Sequence, residues 1–177
     1  MFRTLALAFV LVGAAIAQTT LQVSRFLEQA EHGDAGAAFW LGVAYERGNA
    51  VNQDSAEALR WFLQSAKHGS ADAQNALGQI YEEGNGVQQD YVRAASWYQA
   101  ACENRPNYGG AGQGCNNVGL LYLDGLGVPR NYVEAYKYFK LAGTVDNVME
   151  ARSNMTSSEV ALAEQQLQQW HRGHPER

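Results

Sequence analysis

Few side chains in this sequence of 177 residues have the types and spacing that enzyme chemistry requires. Ser65 and Lys67 do not form an S-x-x-K motif, because only one residue separates them, and neither an S-D-N nor a K-T-G motif follows. Adjacent acids such as Glu82 and Glu83 point in different directions on a helix, so they indicate a solvated surface. The sequence therefore predicts no catalytic residue, and we expect that the protein is not an enzyme.

The four histidines could in principle bind a metal or act as general bases. His32 and His68 both precede a glycine, where a histidine can bond or neutralise the C-terminal end of a helix. His171 and His174 could bind a metal only adventitiously, because they lie on the C-terminal tail. We favour the structural role for the first pair and expect neither a metal nor a cofactor.

The N-terminal residues have the composition of a secretory signal peptide. Arg3 is the only charge before a small and apolar run over 5–17, and the run ends in an A-x-A site. This run is shorter than the ~20 apolar residues that span a bilayer. We therefore expect cleavage between Ala17 and Gln18 and a periplasmic or secreted protein without membrane insertion.

The charge and the cysteine content narrow the class of partner and the compartment. The formal net charge is -5, and the Lys and Arg residues are scattered rather than clustered. Nucleic acid and anionic membrane are therefore disfavoured as partners. Cys102 and Cys115 are the two cysteines, and an even number in an oxidising compartment favours one disulfide.

An internal repeat reveals the elements that must position these residues. The pair Leu41-Gly42 recurs 36 residues later and, as Val-Gly, a further 41 residues later. Tyrosine and glycine follow each pair, and then come an acid or amide, an alanine and two aromatic residues. The aligned positions include Tyr45, Tyr81 and Tyr122; Gly48, Gly84 and Gly125; Asp54, Asp90 and Asn131; Ala58, Ala94 and Ala135; Phe62, Tyr98 and Phe139.

Each repeat predicts a helix A, a glycine turn and a helix B. Apolar residues in the first segment recur three or four positions apart, as Leu77, Ile80 and Tyr81 do, and the glycine that follows ends helix A. The acid or amide caps helix B, whose alanine and aromatic positions form one packed face. Gly78 inside helix A lowers helix propensity by ~1 kcal/mol, which is tolerable where another helix must approach closely.

The pattern A-x-x-x-L-G-x-x-Y-x-x-G-x-G-V-x-x-D-x-x-x-A-x-x-W-Y resembles the Sel-one-like repeat (SLR) family, relatives of the tetratricopeptide repeats. The resemblance implies an all-α fold, a right-handed α-α superhelix of about three units that recruits protein partners. An N-terminal half unit should precede them, and a capping helix that starts near Thr156 should follow a short turn at 149–154. The predicted segments are a signal peptide (1–17), the half unit (18–33), SLR units (34–68, 69–103 and 112–143), an inserted link (104–111), a capping segment (144–172) and a tail (173–177).

The two cysteines flank the inserted link, and the stretches around them resemble the cysteine-rich SLR proteins of the bacterial periplasm. Disulfides close this junction in that group. The resemblance therefore implies a Cys102–Cys115 bond between helix B of the second unit and the first turn of helix A in the third. Some of those relatives have been described as penicillin-binding or β-lactamase-like. A β-lactamase-like hydrolase is nevertheless the least favoured function, because the required motifs are missing.

Partner binding is expected on the solvent side of helix A, which lines the inner surface of stacked helix pairs. Positions there that vary between units are free to be selected for binding. For Trp40 and Leu120 the alternative is that the side chain fills a local packing gap. The candidate partner-binding residues are Trp40, Val43, Arg47, Gln79, Glu83, Asn117, Leu120 and Asp124.

The resemblance and the candidate residues together favour a monomeric periplasmic scaffold or adaptor that binds another protein. A second hypothesis is an immunity protein, since small exported SLR proteins resemble those that neutralise secreted antibacterial toxins such as phospholipases. Both functions use a rigid curved surface rather than a pocket, so the sequence supports both.

Overall fold

The computed structural model describes residues 21–104 and 108–173, apart from the side chains of 108–111. The predicted signal peptide and the last four residues of the predicted tail lie outside the described residues. Within these ranges the chain forms nine helices and no strand. The helices are α1 (21–31), α2 (Ala35–Arg47), α3 (Ser55–Lys67), α4 (Ala71–Glu83), α5 (Tyr91–Glu103), α6 (Tyr108–Asp124), α7 (Tyr132–Ala142), α8 (Val145–Ser153) and α9 (Ser157–Gly173).

The repeat-equivalent acids and amides begin helix B where they were predicted to. The Asp54 carboxylate accepts hydrogen bonds from the N–H groups of Ala56 and Glu57 at 2.9 and 3.1 Å. Asp90 and Asn131 cap α5 and α7 with their side chains. Each cap satisfies N–H groups that have no partner inside the helix, and such a cap contributes about 1 kcal/mol.

Helix A ends in a left-handed glycine in all three units. Gly48, Gly84 and Gly125 have φ angles of 70°, 75° and 73°. The second left-handed position of the turn is glycine in two units, whereas the first unit has Ala50 with φ 62°. A left-handed residue with a Cβ costs about 1 to 2 kcal/mol. The turn after α2 is therefore strained where the equivalent turns are not.

The chain divides into two compact units, one up to Gly69 and one from Ser70. In the first unit α2 packs along α3. Gly42 lies beneath the Phe62 ring, and a Cβ on this glycine would come within 2.6 Å of the ring. The ring thus occupies the space that any side chain would need. The buried core next to this contact consists of Ala30, Ala37, Ala38, Leu41 and Trp61.

In the second unit the helices alternate between two rows. Helix α4 contacts α5 and α6, α6 contacts α5 and α7, and α7 contacts α8 and α9. We call α4, α6 and α8 the A row, and α5, α7 and α9 the B row. The contact of a ring with a glycine recurs twice, with Tyr98 over Gly78 and Phe139 over Gly119. The B row therefore supplies the rings, and the A row supplies the gaps that receive them.

Two segments differ from the prediction. Helix α6 begins at Tyr108, so the second half of the link predicted at 104–111 is helical, and Cys115 is the eighth residue of α6 rather than part of its first turn. Helix α8 forms where a turn was predicted at 149–154. Its sequence lacks the Leu-Gly and Tyr-x-x-Gly signals of helix A, and Ala151 is its one buried residue. The position of α8 therefore depends more on its contact with α7 than on the sequence pattern of α8 itself.

The closing helix α9 starts at the predicted cap. The Thr156 N–H donates to Glu159 Oε2 at 2.8 Å, and the Glu159 N–H donates to Thr156 Oγ1 at 3.3 Å. This reciprocal pair is a capping box, which satisfies two N–H groups at the start of a helix. Ala163 and Leu167 of α9 are buried.

Candidate partner-binding surfaces

In the first unit the predicted binding residues lie on α2. The Trp40 side chain is 53 % exposed and makes an edge-on contact with Phe39, with ring centroids 5.4 Å apart. Trp40 is not a member of the buried core of this unit. Val43 is half-buried, and Arg47 is exposed at the last helical position. The indole of Trp40 is therefore accessible to a partner.

In the second unit four predicted residues lie at repeat-equivalent positions of α4 and α6, which pack against each other. Gln79 and Glu83 are one turn apart on α4 and exposed. On α6, Leu120 is half-buried and packs against the buried cluster around Phe139, as its alternative role in packing implies, and Asp124 is exposed. Since equivalent positions on equivalent helices face the same way, these four side chains form one surface of the A row. We call it the A surface.

Asn117, the remaining predicted residue, makes contacts inside the unit. Its Nδ2 donates to Asn75 Oδ1 at 3.1 Å, and Asn75 Nδ2 donates to Gln113 Oε1 at 3.1 Å. Asn75 is 5 % exposed, so water does not compete for these hydrogen bonds, and they hold α4 against α6. Asn147 Nδ2 donates to Asn116 Oδ1 at 2.7 Å and links α8 to α6. Amide hydrogen bonds therefore join the three helices of the A row.

Sequence reasoning missed this amide network. It selected Asn117 because the residue type varies between units, and variation is equally compatible with a structural role. The available signal was Asn75 and Asn116, which occupy equivalent repeat positions where the first unit has Phe39. A polar side chain that recurs at an inward position needs partners, because buried polar groups are hydrogen-bonded.

Two helices of the A row, α4 and α6, carry four acidic residues and no basic residue. Ion pairs among the described residues involve instead helix B or its cap, at Arg60–Glu57, Arg93–Asp90, Lys137–Glu134 and Lys140–Glu164. Glu83 and Asp124 form none of these ion pairs, although the Arg130 guanidinium donates to the main-chain carbonyl of Asp124 at 3.2 Å. Glu83 therefore contributes most of the negative field of the A surface, which attracts basic groups.

Buried tyrosines of the B row bond to carboxylates. The Tyr98 hydroxyl donates to Glu82 Oε2 at 2.5 Å, and the Tyr136 hydroxyl donates to Glu164 Oε1 at 2.6 Å. Burial raises the pKa of both tyrosines most, and the bonded carboxylate raises it further. The pKa of Tyr136 reaches about 12. Both hydroxyls therefore remain protonated hydrogen-bond donors at neutral pH.

The predicted disulfide between Cys102 and Cys115 is present. The S–S distance is 2.00 Å, the Cα atoms are 4.6 Å apart, and each cysteine is 1 % exposed. A Cβ on Gly114 would lie 2.6 Å from the Cβ of Ala101, so this glycine permits the close approach of α5 and α6. The bond thus ties the B row to the A row beside the inserted link.

His32 has the predicted role at a helix C-terminus, because its Nδ1 donates to the carbonyl oxygen of Glu28 at 2.7 Å. In the part of the chain that the structure describes, no group of three His, Cys, Asp or Glu side chains is arranged to hold a metal ion. None of the helices over 21–104 and 108–173 is both long and apolar enough to cross a bilayer.

Comparison with known families agrees with the repeat. The family described as Sel1 repeat matches residues 35–70, 71–105 and 112–144, which is more than half of the chain. Among curated proteins, no sequence matches this chain.

The solved structures that are similar to this chain include three with informative descriptions. A protective antigen of uropathogenic Escherichia coli strains, described as displaying an SLR fold, is 36 % identical over 69 % of this chain and 25 % of its own, with a TM-score of 0.63. A Sel1 repeat protein from Oxalobacter formigenes is 29 % identical over 71 % of this chain and 49 % of its own, with a TM-score of 0.64. Helicobacter pylori cysteine-rich protein B is 21 % identical over 75 % of this chain and 93 % of its own, with a TM-score of 0.57.

The likeness to the H. pylori protein concerns the fold alone. This chain spans about a quarter of the length of the E. coli antigen and about half that of the O. formigenes protein. The three consecutive family matches, which coincide with the helix pairs α2–α3, α4–α5 and α6–α7, nevertheless cover most of the described helices. The chain therefore belongs to the Sel1 repeat (SLR) family.

Proposed function

We propose that this chain is a non-catalytic protein-interaction module, a periplasmic scaffold or adaptor whose partner binds the solvent side of helix A. The observation that carries the proposal is the 53 % exposure of Trp40 on a helix whose buried residues do not include it. Tryptophan is enriched among the few residues that dominate binding energy at protein interfaces. Arg47, two turns along the same helix, belongs to another residue type enriched there.

The A surface of the second unit supports the same function and indicates the chemistry of the partner. Glu83 and Asp124 are exposed, and neither α4 nor α6 has a cation to pair with them. Leu120 adds a half-buried apolar side chain between these acids and the amide network. Because interfacial charge accelerates association and selects partners, we expect the partner to present basic and apolar residues here.

Location in the envelope is part of the proposal. A buried disulfide favours an oxidising compartment, because cytosolic thiols are kept reduced. The mature chain should begin at Gln18, which intact-mass measurement of protein from its native host would establish. A chain that retains residues 1–17 would contradict the proposed export.

Site-specific photocrosslinking tests the binding surface. Benzoylphenylalanine at Gln79, on the A surface, should capture a partner in the native host. The same residue at Val92, which is 61 % exposed in the first turn of α5 in the B row, is the matched control and should capture less. Equal capture from both positions would contradict the assignment of the surface.

The captured partner then allows a test of Trp40. Purified partner should bind the Trp40→Ala variant about tenfold to a hundredfold more weakly, while the melting temperature of the variant stays close to that of the parent. A large loss of melting temperature would instead assign Trp40 to packing. Turnover of nitrocefin by the pure protein would contradict the absence of catalysis.

The immunity hypothesis predicts a particular partner. A toxin encoded beside this chain, such as a phospholipase, should be inhibited with one-to-one stoichiometry. Survival of a deletion strain during contact killing would exclude this function and leave the adaptor. Both hypotheses place the partner on the helix A surface, so the same crosslinking positions test the adaptor and the immunity protein.

A further inference from the structure

A small recess opens on the B row of the second unit, at the C-terminal turns of α5, α7 and α9. Its volume is about 70 Å³. Among the side chains that the structure describes, none from the A row lines the recess, so it is separate from the A surface. The lining includes Tyr138 and Leu141 from α7, Leu167 and Trp170 from α9, and the charged residues Glu103 and Lys137.

The walls of this recess are suited to an aliphatic group. Leu141 and Leu167 are aliphatic, and Tyr138 and Trp170 contribute aromatic rings. Apolar surface that leaves water here gains free energy in proportion to its area. A strongly polar or ionic occupant would lose hydration against these walls without regaining it.

The size of the recess restricts the occupant further. A cavity of about 150 Å³ accommodates benzene. The recess has roughly half that volume, at about 70 Å³, so the branched end of a leucine or valine side chain matches it better than an aromatic ring does.

Two charged groups in the lining indicate that this side chain belongs to a polypeptide. The Lys137 ammonium has three donors and bonds the two carboxylate oxygens of Glu134 at 2.9 and 3.0 Å. The Glu103 carboxylate accepts one bond from Gln99 at 3.0 Å and has further lone pairs. The recess thus offers one donor and one acceptor, which are what a peptide C=O and N–H require.

The walls are also held in place before any partner binds. Cys102 lines the recess and is fixed by its disulfide to Cys115. Glu164 of α9 accepts a bond from the Tyr136 hydroxyl of α7 at 2.6 Å and lies 3.5 Å from Lys140 Nζ. A preformed site loses less conformational entropy on binding than a mobile one.

We propose that this recess binds one branched aliphatic side chain of a partner protein, with the adjacent peptide group bonded to Lys137 and Glu103. The proposal deepens the proposed function, because it gives the partner an anchoring site on the B row in addition to the A surface. It rests on that function for the source of the side chain, although the binding itself is measurable without the partner.

The test uses N-acetyl-leucinamide and N-acetyl-phenylalaninamide as probes of the full chain, followed by the indole N–H resonances of the four tryptophans. The leucine amide should shift the Trp170 resonance, leave that of Trp40 in place, and bind about tenfold more tightly than the phenylalanine amide. An unmoved Trp170 resonance, or equal binding of the two amides, would overturn the proposal.

Two variants of one wall residue separate binding in the recess from binding elsewhere. Leu141→Phe should fill the recess and abolish the shift, whereas the matched control Leu162→Phe, at a 46 % exposed position of α9, should bind as the parent does. Leu141→Ala should enlarge the recess and reverse the preference in favour of the phenylalanine amide. Binding of the leucine amide that Leu141→Phe leaves intact would contradict the site. The crosslinking result at Gln79 does not depend on these outcomes, so the two proposals fail separately.

Discussion

The two rows of the second unit are built from the same repeat, but they contribute different kinds of contact to its packing. The B row contributes large buried rings, such as Tyr98 and Phe139, and the ion pairs Lys137–Glu134 and Lys140–Glu164. The A row contributes glycines beneath those rings, amide bonds between helices, and exposed acids that form no ion pair among the described residues. The contrast shows that ring-to-glycine contacts join the two rows, whereas the solvent side of α4 and α6 keeps exposed polar side chains.

The contrast predicts a large difference in stability between substitutions on the two rows. Phe139→Ala removes a side chain that is 0 % exposed and should lower the free energy of unfolding by about 4 kcal/mol. Gln79→Ala, on the A surface, is the control and should change it by less than about 0.5 kcal/mol. Urea denaturation followed by circular dichroism measures both. Comparable losses would show that the A surface is part of the core.

The disulfide between the rows should have the next largest effect. The double substitution Cys102→Ala and Cys115→Ala should lower the free energy of unfolding by about 3 kcal/mol, because the unfolded chain regains the entropy of an open loop. Reductant added to the parent protein should lower its urea midpoint similarly. A midpoint insensitive to reductant would mean that packing alone holds α5 to α6.

The amide network should have a smaller effect, confined to the A row. Asn75→Ala should lower the free energy of unfolding by about 2 kcal/mol, because Asn117 loses its acceptor inside the unit. Asn117→Ala should lower the free energy of unfolding less in the Asn75→Ala background than in the parent protein. The two substitutions should therefore show a coupling of about 1 kcal/mol in a double-mutant cycle. Gln168→Ala, at an exposed amide of α9, is the control. Strict additivity of the pair would remove Asn117 from the network and return it to the candidate binding residues.

High pH should weaken the B row specifically. Burial and the Glu164 carboxylate raise the pKa of Tyr136 to about 12, above the ordinary tyrosine value of about 10. A raised pKa in the folded state means that this stabilisation is complete below pH ~10 and is lost as the pH rises towards ~12. The urea midpoint should fall across this window, and Tyr136→Phe should reduce the fall. An unchanged slope in Tyr136→Phe would assign the alkaline loss to other groups.

The sequence predicted the parts of this fold whose signals are local and repeated. Helix A, the glycine stop and the cap of helix B recur three times, so each copy supports the interpretation of the others, and the disulfide followed from the family resemblance. Helix α8 could not be found this way, because it lacks the repeat signals and depends on contact with α7. The start of α6 at Tyr108 falls in the insertion, which has no counterpart in the other units.

The candidate surfaces were predictable to a smaller extent. Exposure of Trp40, Gln79, Glu83 and Asp124 follows from their places on an amphipathic helix. The role of Asn117 does not, because its partner Asn75 is 42 residues away and in another repeat. The recess on the B row was also beyond the sequence, since it joins side chains of three helices that include the non-repeating α9.

The position of the disulfide determines what a protease can release from the chain. Cys102 and Cys115 bracket the stretch 103–114, which includes the inserted link. A single cut anywhere within this stretch produces two fragments that stay joined through sulfur, so the nicked molecule separates only after a thiol is added. The lengthened junction is thus the place in this chain where a broken backbone does not divide the molecule.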